Sequence, residues 1–333
     1  MAHDPAQIIA ELERQFTGDA EHDLDVLRQY CATLPHTDDN VDIITAIGHY
    51  VLAHFPDAAE TANARLFEKS YDEFESLVQK AQDALRARRF EEAATLYGRL
   101  IDDVRPTNTP DAYYFAFAHP FEEMIVRATH LYDDRRIERI PQLPAMLYFQ
   151  QGSALFELAR YDEARDAFRN VLALNPVSAP AFFELIQIAK ARRDFDEVRA
   201  LLRKAYPYLF TRHFLARYYR EHANLATYDN RHALAVALLH LSMDYEQSPQ
   251  AVAMLENLRD ACGADVTLPP VARIKELLTA ADIPVGPNPA TYELAILIGN
   301  QMKPIHPDVA KMAYAIAYDL THYQPLLQEL EGG

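Results

Sequence analysis

The chain has 333 residues, half of them hydrophobic, with 9 Gly, no Trp and a formal net charge of −17. That charge excludes general binding to phosphate backbones or anionic membrane surfaces, and so few glycines nearly exclude phosphate-cradling loops. Frequent Ala and Leu with scarce Gly predict an all-helical protein.

The charge is uneven. Residues 1–75 carry 16 acids and 4 bases, whereas residues 127–231 carry 13 acids and 17 bases. An acidic partner segment is therefore electrostatically welcome only at the centre. In chain order, amphipathic helices are predicted over 5–17, 22–34 and 40–55, with breaks at Gly18, Pro35 and Pro56. Residues 1–73 thus form an acidic N-terminal helical region. A helical hairpin follows over 74–107. Residues 108–144 read as an insertion: a Pro-rich aromatic loop, RPTNTPDAYYFAFAHPF, then a helix, FEEMIVRATHLYDD, closed by RIERIPQLP. So aromatic a loop should pack on something.

The most regular segment is AMLYFQQGSALFELARYDEARDAFRNVLALNP, residues 145–176. Gly152 is followed at +9 by Tyr161, at +12 by Ala164, at +16 by Phe168 and at +24 by Pro176. Gly152 and Ala164 are small where two antiparallel helices cross. The aromatics fill the gap to the next hairpin, and Pro176 cannot donate the next helical hydrogen bond. The same offsets run from Ile186 through Phe195, Val198, Leu202 and Phe210. They recur from Ala223 through His232, Ala235, Leu239 and Gln247, and from Ala81 through Phe90, Ala93, Tyr97 and Arg105. The junctions RRFEEA (88–93), ARYDEA (159–164) and RRDFDE (192–197) echo one another. Residues 145–249 are thus three repeats. Residues 250–288 read as a hairpin with the Pro-rich linker IPVGPNP, and 289–333 as a degenerate capping repeat around Gly299, Ala310, Tyr314 and Tyr318.

This spacing resembles the tetratricopeptide repeat, a two-helix unit of about 34 residues. The resemblance implies an all-α, right-handed superhelical solenoid of antiparallel helix hairpins, and a non-catalytic protein–protein interaction or scaffold protein. Such a protein binds a peptide or protein segment on the concave surface lined by the first helix of each hairpin. Carried over by position, the groove is Met146, Phe149, Ser153 and Phe156, then Phe183, Gln187 and Lys190, then Arg217, Arg220, Asn224 and Tyr228. Aromatic residues would supply apolar burial, while Arg and Asn would grip a peptide backbone or carboxylate. Glu184 adds an acid to this face.

No GxSxG elbow, HExxH, P-loop or GxGxxG occurs, so no enzyme activity, cofactor or metal is expected. His213, His222, His232 and His240 lack a completing ligand set and read as packed core residues, while His119 and His306 read as surface residues at turns. Cys31 and Cys262 read as small buried hydrophobes. The basic middle alternates in sign, as in DDRRIER, which marks a solvated surface rather than a nucleic-acid track. No apolar stretch of about 18 residues predicts a membrane span, and an acidic N-terminus without a signal-peptide pattern predicts a cytoplasmic protein. Two other readings stay open. Copies could associate through acidic flank and basic middle around a self-occupied groove, or the 108–120 loop could act as a lid over a small molecule.

Overall fold

A computed structural model describes residues 5–33, 43, 46–47, 50–51, 54–55, 74–104, 112–129 and 135–331. It divides into two compact units, Met1–Gln79 and Lys80–Gly333. In the first, α1 (Pro5–Glu13) and α2 (Ala20–Thr33) bury Ile8, Leu12 and Leu27 with Ile43 and Ile47. The turn between the two helices is tied by Asp23, 4% exposed, whose carboxylate accepts from the N–H groups of Thr17 (2.7 Å) and Gly18 (3.0 Å). Gly18 has φ +85°, a conformation open to glycine. The predicted breaks at Pro35 and Pro56 lie outside the described residues.

The second unit begins inside α3, over residues 74–86, which forms a hairpin with α4 (Phe90–Val104). Further hairpins are α6 (Leu143–Glu157) with α7 (Tyr161–Leu174), α8 (Ala179–Ala191) with α9 (Phe195–Ala205), and α10 (Arg212–Tyr228) with α11 (His232–Tyr245). The backbone shows why four junctions share one spacing. The residue at +7 in each repeat, Arg88, Ala159, Arg193 or Asn230, is left-handed, with φ of 58°, 56°, 59° and 56°. The next N–H then closes the first helix onto the carbonyl five residues back: Arg89 to Ala84 (2.8 Å), Arg160 to Leu155 (3.0 Å), Asp194 to Ala189 (2.9 Å) and Arg231 to Ala226 (2.7 Å). Each second helix starts two residues later. In three of the four its first turn carries acids (Glu91 and Glu92, Asp162 and Glu163, Asp196 and Glu197), which suit the positive end of a helix dipole.

Packing follows the same register. The +12 residues Ala93, Ala164, Val198 and Ala235 are fully buried, as are Tyr97, Phe168, Leu202 and Leu239 at +16. At Gly152 a Cβ would sit 2.9 Å from Phe168 Cζ, so α6 and α7 cross at a distance only glycine permits.

The stack continues through α12 (Pro249–Cys262), α13 (Val271–Thr279), α14 (Pro289–Met302), α15 (Pro307–Thr321) and α16 (Pro325–Glu331). The all-α solenoid is as the sequence reads, except within the insertion. There β1 (Ala112–Phe115) and β2 (Arg136–Arg139) pair in parallel, Ala112 opposite Arg136 and Phe115 opposite Arg139, joined through α5 (Pro120–Ala128). The predicted aromatic loop is partly a strand, and RIERIPQLP opens with one.

The described part of the insertion packs toward the C-terminal end of the stack. Phe115, Phe117, Phe121, Ile125 and Val126 pack with Val177, Phe210 and the α14–α15 hairpin. None of the eleven groove residues named above belongs to this cluster, so residues 112–120 give no support to a self-occupied groove or a lid. Residues 108–111 lie outside the described ones. Ala116 N–H donates to the Leu174 carbonyl at the end of α7 (2.7 Å). Buried Glu122 accepts, through Oε2, from Ala118 N–H (2.7 Å), His119 N–H (3.0 Å) and Asn175 Nδ2 (2.9 Å). His119 is no surface residue: its Nδ1 caps α5 at Phe121 N–H (3.1 Å) and its ring lies 5.1 Å from that of Phe210. Burial lowers its pKa.

Linker 283–289 crosses α10, where Tyr219 Oη donates toward the carbonyls of Pro284 (3.1 Å) and Gly286 (3.0 Å) and accepts from Gly286 N–H (2.8 Å). Beyond it, α14 and α15 touch so closely that a Cβ on Gly299 would lie 2.6 Å from Tyr314 Cδ1. Alanine is the better helix former by about 1 kcal/mol, yet Tyr314 is 2% exposed and its hydroxyl donates to Asn300 Oδ1 (2.8 Å), so the ring is tethered against the crossing and can shift only by giving up that bond. Overpacking then wins. Gly299→Ala is expected to destabilise by about 1–3 kcal/mol, read as a lower thermal midpoint; an unchanged or raised midpoint would refute the close crossing.

Candidate functional site

The first helices α6, α8 and α10 supply the groove residues, and the structure sorts them into three kinds. Surface is available at Met146 (40% exposed) and Tyr228 (58% exposed). Tyr228 ends α10 with its ring 3.7 Å from that of Phe195, at the start of α9. Phe149 and Phe156 are half-buried; Phe149 meets Phe168 edge-on at 5.3 Å, and Phe156 lies 5.6 Å from Tyr161. Ser153 Oγ donates to the Phe149 carbonyl (3.0 Å), so it serves its own helix.

The second kind is a polar cluster that ties α8 to α10. Glu221, 4% exposed, accepts from Gln187 Nε2 (2.8 Å), Lys190 Nζ (2.7 Å) and Asn224 Nδ2 (3.2 Å). One buried carboxylate thus gathers three of the predicted residues. A turn further on, Arg217 Nη2 donates to Glu184 Oε1 (3.1 Å), and its guanidinium lies 4.6 Å above the Phe183 ring. At about 100° per residue, Arg217, Glu221, Asn224 and Tyr228 form one stripe of α10. Among the described residues no hydrogen bond or ring contact joins the α6 residues to this cluster.

The third kind is buried. Phe183 is fully enclosed, so it forms the floor and not a contact surface. Arg220 is 6% exposed and turned toward α11, donating to Ser242 Oγ (3.3 Å) and Glu246 Oε2 (3.4 Å). It stands three residues after Arg217, about 60° round the helix, and leaves the groove face.

The electrostatic expectation changes accordingly. Each predicted groove cation already has an acid: Lys190 has Glu221, Arg217 has Glu184 and Arg220 has Glu246. Among the described residues, the three cations named for this groove are all paired. Glu221 was the residue missed. It lies four residues beyond Arg217 and 34 beyond Gln187, so repeat period and helical spacing together mark it.

The histidines are dispersed. His213 Nδ1 contacts Glu246 Oε1 (2.8 Å) at the surface, His240 Nε2 contacts the Val266 carbonyl (2.9 Å), and His222 is buried with its ring 4.6 Å from Tyr218. Among the described residues no group of three His, Cys, Asp or Glu could hold a metal ion, and no helix is long and apolar enough to cross a membrane. Cys31 is half-buried, and burial raises its pKa. Cys262, at the end of α12, is exposed and not the buried hydrophobe expected.

None of the curated proteins matches the chain in sequence. Among solved structures, the TPR domain of P58(IPK) aligns at 13% identity and a TM-score of 0.31, over 95% of this chain and 74% of that one. The APC/C hetero-tetramer Cut9–Hcn1 aligns at 14% and 0.32, over 93% of this chain and 59% of that one. These superpositions are too loose to transfer a function. Residues 145–176 match the tetratricopeptide repeat family, over the segment where Gly152 and Phe168 close the α6–α7 crossing. Residues 145–176 of this chain are a tetratricopeptide repeat.

Proposed function

We propose that this protein binds a segment of another protein along α6, α8 and α10, as a non-catalytic interaction module. The repeat itself points to protein–protein interaction; the groove and the character of its occupant are our reading. The observation that carries it is the closure of charge around Glu221 and Glu184. A face whose cations are already paired gains little from a strongly acidic ligand, since each new ion pair must displace an old one. It suits an amphipathic segment with apolar side chains on Met146, Phe149, Phe156 and Tyr228, and backbone groups toward Gln187 and Asn224.

The test is capture by the immobilised full chain at low and high salt, beside a Met146→Glu/Tyr228→Ala variant. Both positions are exposed, so the variant should stay folded, giving up only the ring contact of Tyr228 with Phe195. Loss of a Tyr anchor commonly weakens binding by about 2 kcal/mol. A partner held at both salt concentrations and released at least about tenfold by the variant supports the reading. Equal capture by both proteins, or capture only at low salt, refutes it.

A further inference from the structure

On another face of α10, about 130° round the helix from the groove stripe, lies a cavity of about 120 Å³. Arg199 and Arg203 of α9 and Arg231 before α11 line it, together with Leu225, Leu234 and Ile283. Its third wall, residues 281–283, is held in place by the turn after α13. Asp282 there takes φ +55°, and Ile283 N–H donates to the Leu278 carbonyl (3.0 Å). The cavity, open to solvent on one side, is thus walled by residues of α9, α10, α11 and the turn after α13.

Its chemistry is divided. The floor is apolar, with Leu225, Leu234 and Ile283 at 5%, 3% and 8% exposure. Around it stand three guanidinium groups and two carboxylates, those of Asp229 and Asp282. Arg199 is already committed, donating to both Asp229 oxygens (3.1 and 2.8 Å) and to Asp196 (3.0 Å). Arg203 and Arg231 are exposed, and their side chains have no hydrogen bond or ion pair among the described residues. His222 also lines the cavity, with Nε2 buried and without a partner. Burial lowers its pKa to about 4, so it is uncharged at neutral pH. The uncommitted positive charge at this cavity is therefore that of Arg203 and Arg231.

We propose that this cavity binds a small organic carboxylate, its head group held by Arg203 and Arg231 and its short aliphatic body laid on Leu225, Leu234 and Ile283. A guanidinium fork matches a planar carboxylate with two parallel hydrogen bonds. Inorganic phosphate would satisfy the arginines and leave the apolar floor unused, so the floor selects an acid with a hydrocarbon part. The volume suits a ligand of few heavy atoms, since a water molecule takes about 30 Å³ in the liquid.

The experiment is ligand-observed NMR and calorimetry on the full chain with butyrate, against butylamine and inorganic phosphate as controls. Arg203→Gln/Arg231→Gln is the variant, its fold checked by thermal melting. Both side chains are exposed and unpaired, so the variant should fold. Saturable butyrate binding is expected at millimolar affinity, the range open to so small a ligand. The double variant should weaken it about tenfold or more, butylamine should not bind, and phosphate should bind more weakly than butyrate. No saturable binding by wild type, undiminished binding by the variant, or phosphate tighter than butyrate would each overturn the proposal.

Discussion

Replacing Glu122 by Ala should cost about 3 kcal/mol of stability, while replacing it by Gln should cost nothing or stabilise the fold. The Glu122 side chain is 4% exposed and anchors the insertion to the end of α7. Alanine would strand three donors: Ala118 N–H, His119 N–H and Asn175 Nδ2. Each buried donor left unsatisfied costs about 1–3 kcal/mol. Ala118 is exposed and can turn to water, but Asn175 is 2% exposed and its Oδ1 already lacks a partner. That residue would lose its last side-chain bond, so the sum settles near the stated figure.

Gln behaves differently because all three donors meet a single oxygen, Oε2. A neutral amide keeps such an acceptor and removes a buried charge. Desolvation raises the Glu122 pKa, ahead of the hydrogen bonds from His119, Asn175 and Ala118 that pull it down. A carboxyl group whose folded pKa lies above its unfolded value supports the fold fully below the unfolded value. That support is lost as pH rises through the folded one. Wild type and Glu122→Gln should therefore melt together at the acid end of the ordinary carboxylate range. They should separate above it, with the Gln protein ahead. Thermal melts of the three proteins across pH decide the matter, and a Gln variant as damaged as the Ala one at neutral pH would show that the negative charge itself is needed.

The repeat was legible because each of its marks has one geometric cause. A left-handed residue at +7 and a buried +12 and +16 pair recur in all four hairpins between residues 74 and 249, and a small residue stands at the crossing in three of them, Ile186 being the exception. The insertion was legible as apolar but not as a sheet. β2 is RIER, with none of the apolar run or alternation that marks a strand, and its partner lies 24 residues earlier. Only tertiary pairing makes it a strand. In the groove, the stripe of α10 could be counted from Arg217, yet Arg220 was placed on it although three residues turn it aside. Phe183 looked like a contact residue because position alone does not say how deep a helix sits. Cys262 read as core because its helix is amphipathic, but α12 leaves that end to solvent.

A second large effect is expected in acid, from His222. Burial holds its pKa at about 4 against an ordinary 6.5; neighbouring Glu221 pulls it up and Arg199 pushes it down. The folded value is the depressed one. The neutral ring's contribution to stability is therefore complete above 6.5, declines as pH falls below that value, and is gone once pH passes the folded pKa. At about 1.4 kcal/mol per tenfold change in proton affinity, the displacement amounts to about 3 kcal/mol. Carboxylates throughout the chain titrate in part of the same window, so the wild-type curve alone cannot assign the loss. The difference between wild type and His222→Gln can, because every other group cancels unless it touches residue 222. Gln retains a polar group beside Tyr218, whose ring packs edge-on against the imidazole, and carries no proton equilibrium in this range. Chemical denaturation at steps from neutral pH down to about the folded pKa should show the wild type losing about 3 kcal/mol relative to the variant. Most of that loss should fall below 6.5. Parallel curves would mean that protonated His222 finds water or an acid in the folded state. The apolar back face of α10, on which both the buried imidazole and the neighbouring cavity depend, would then be open to solvent.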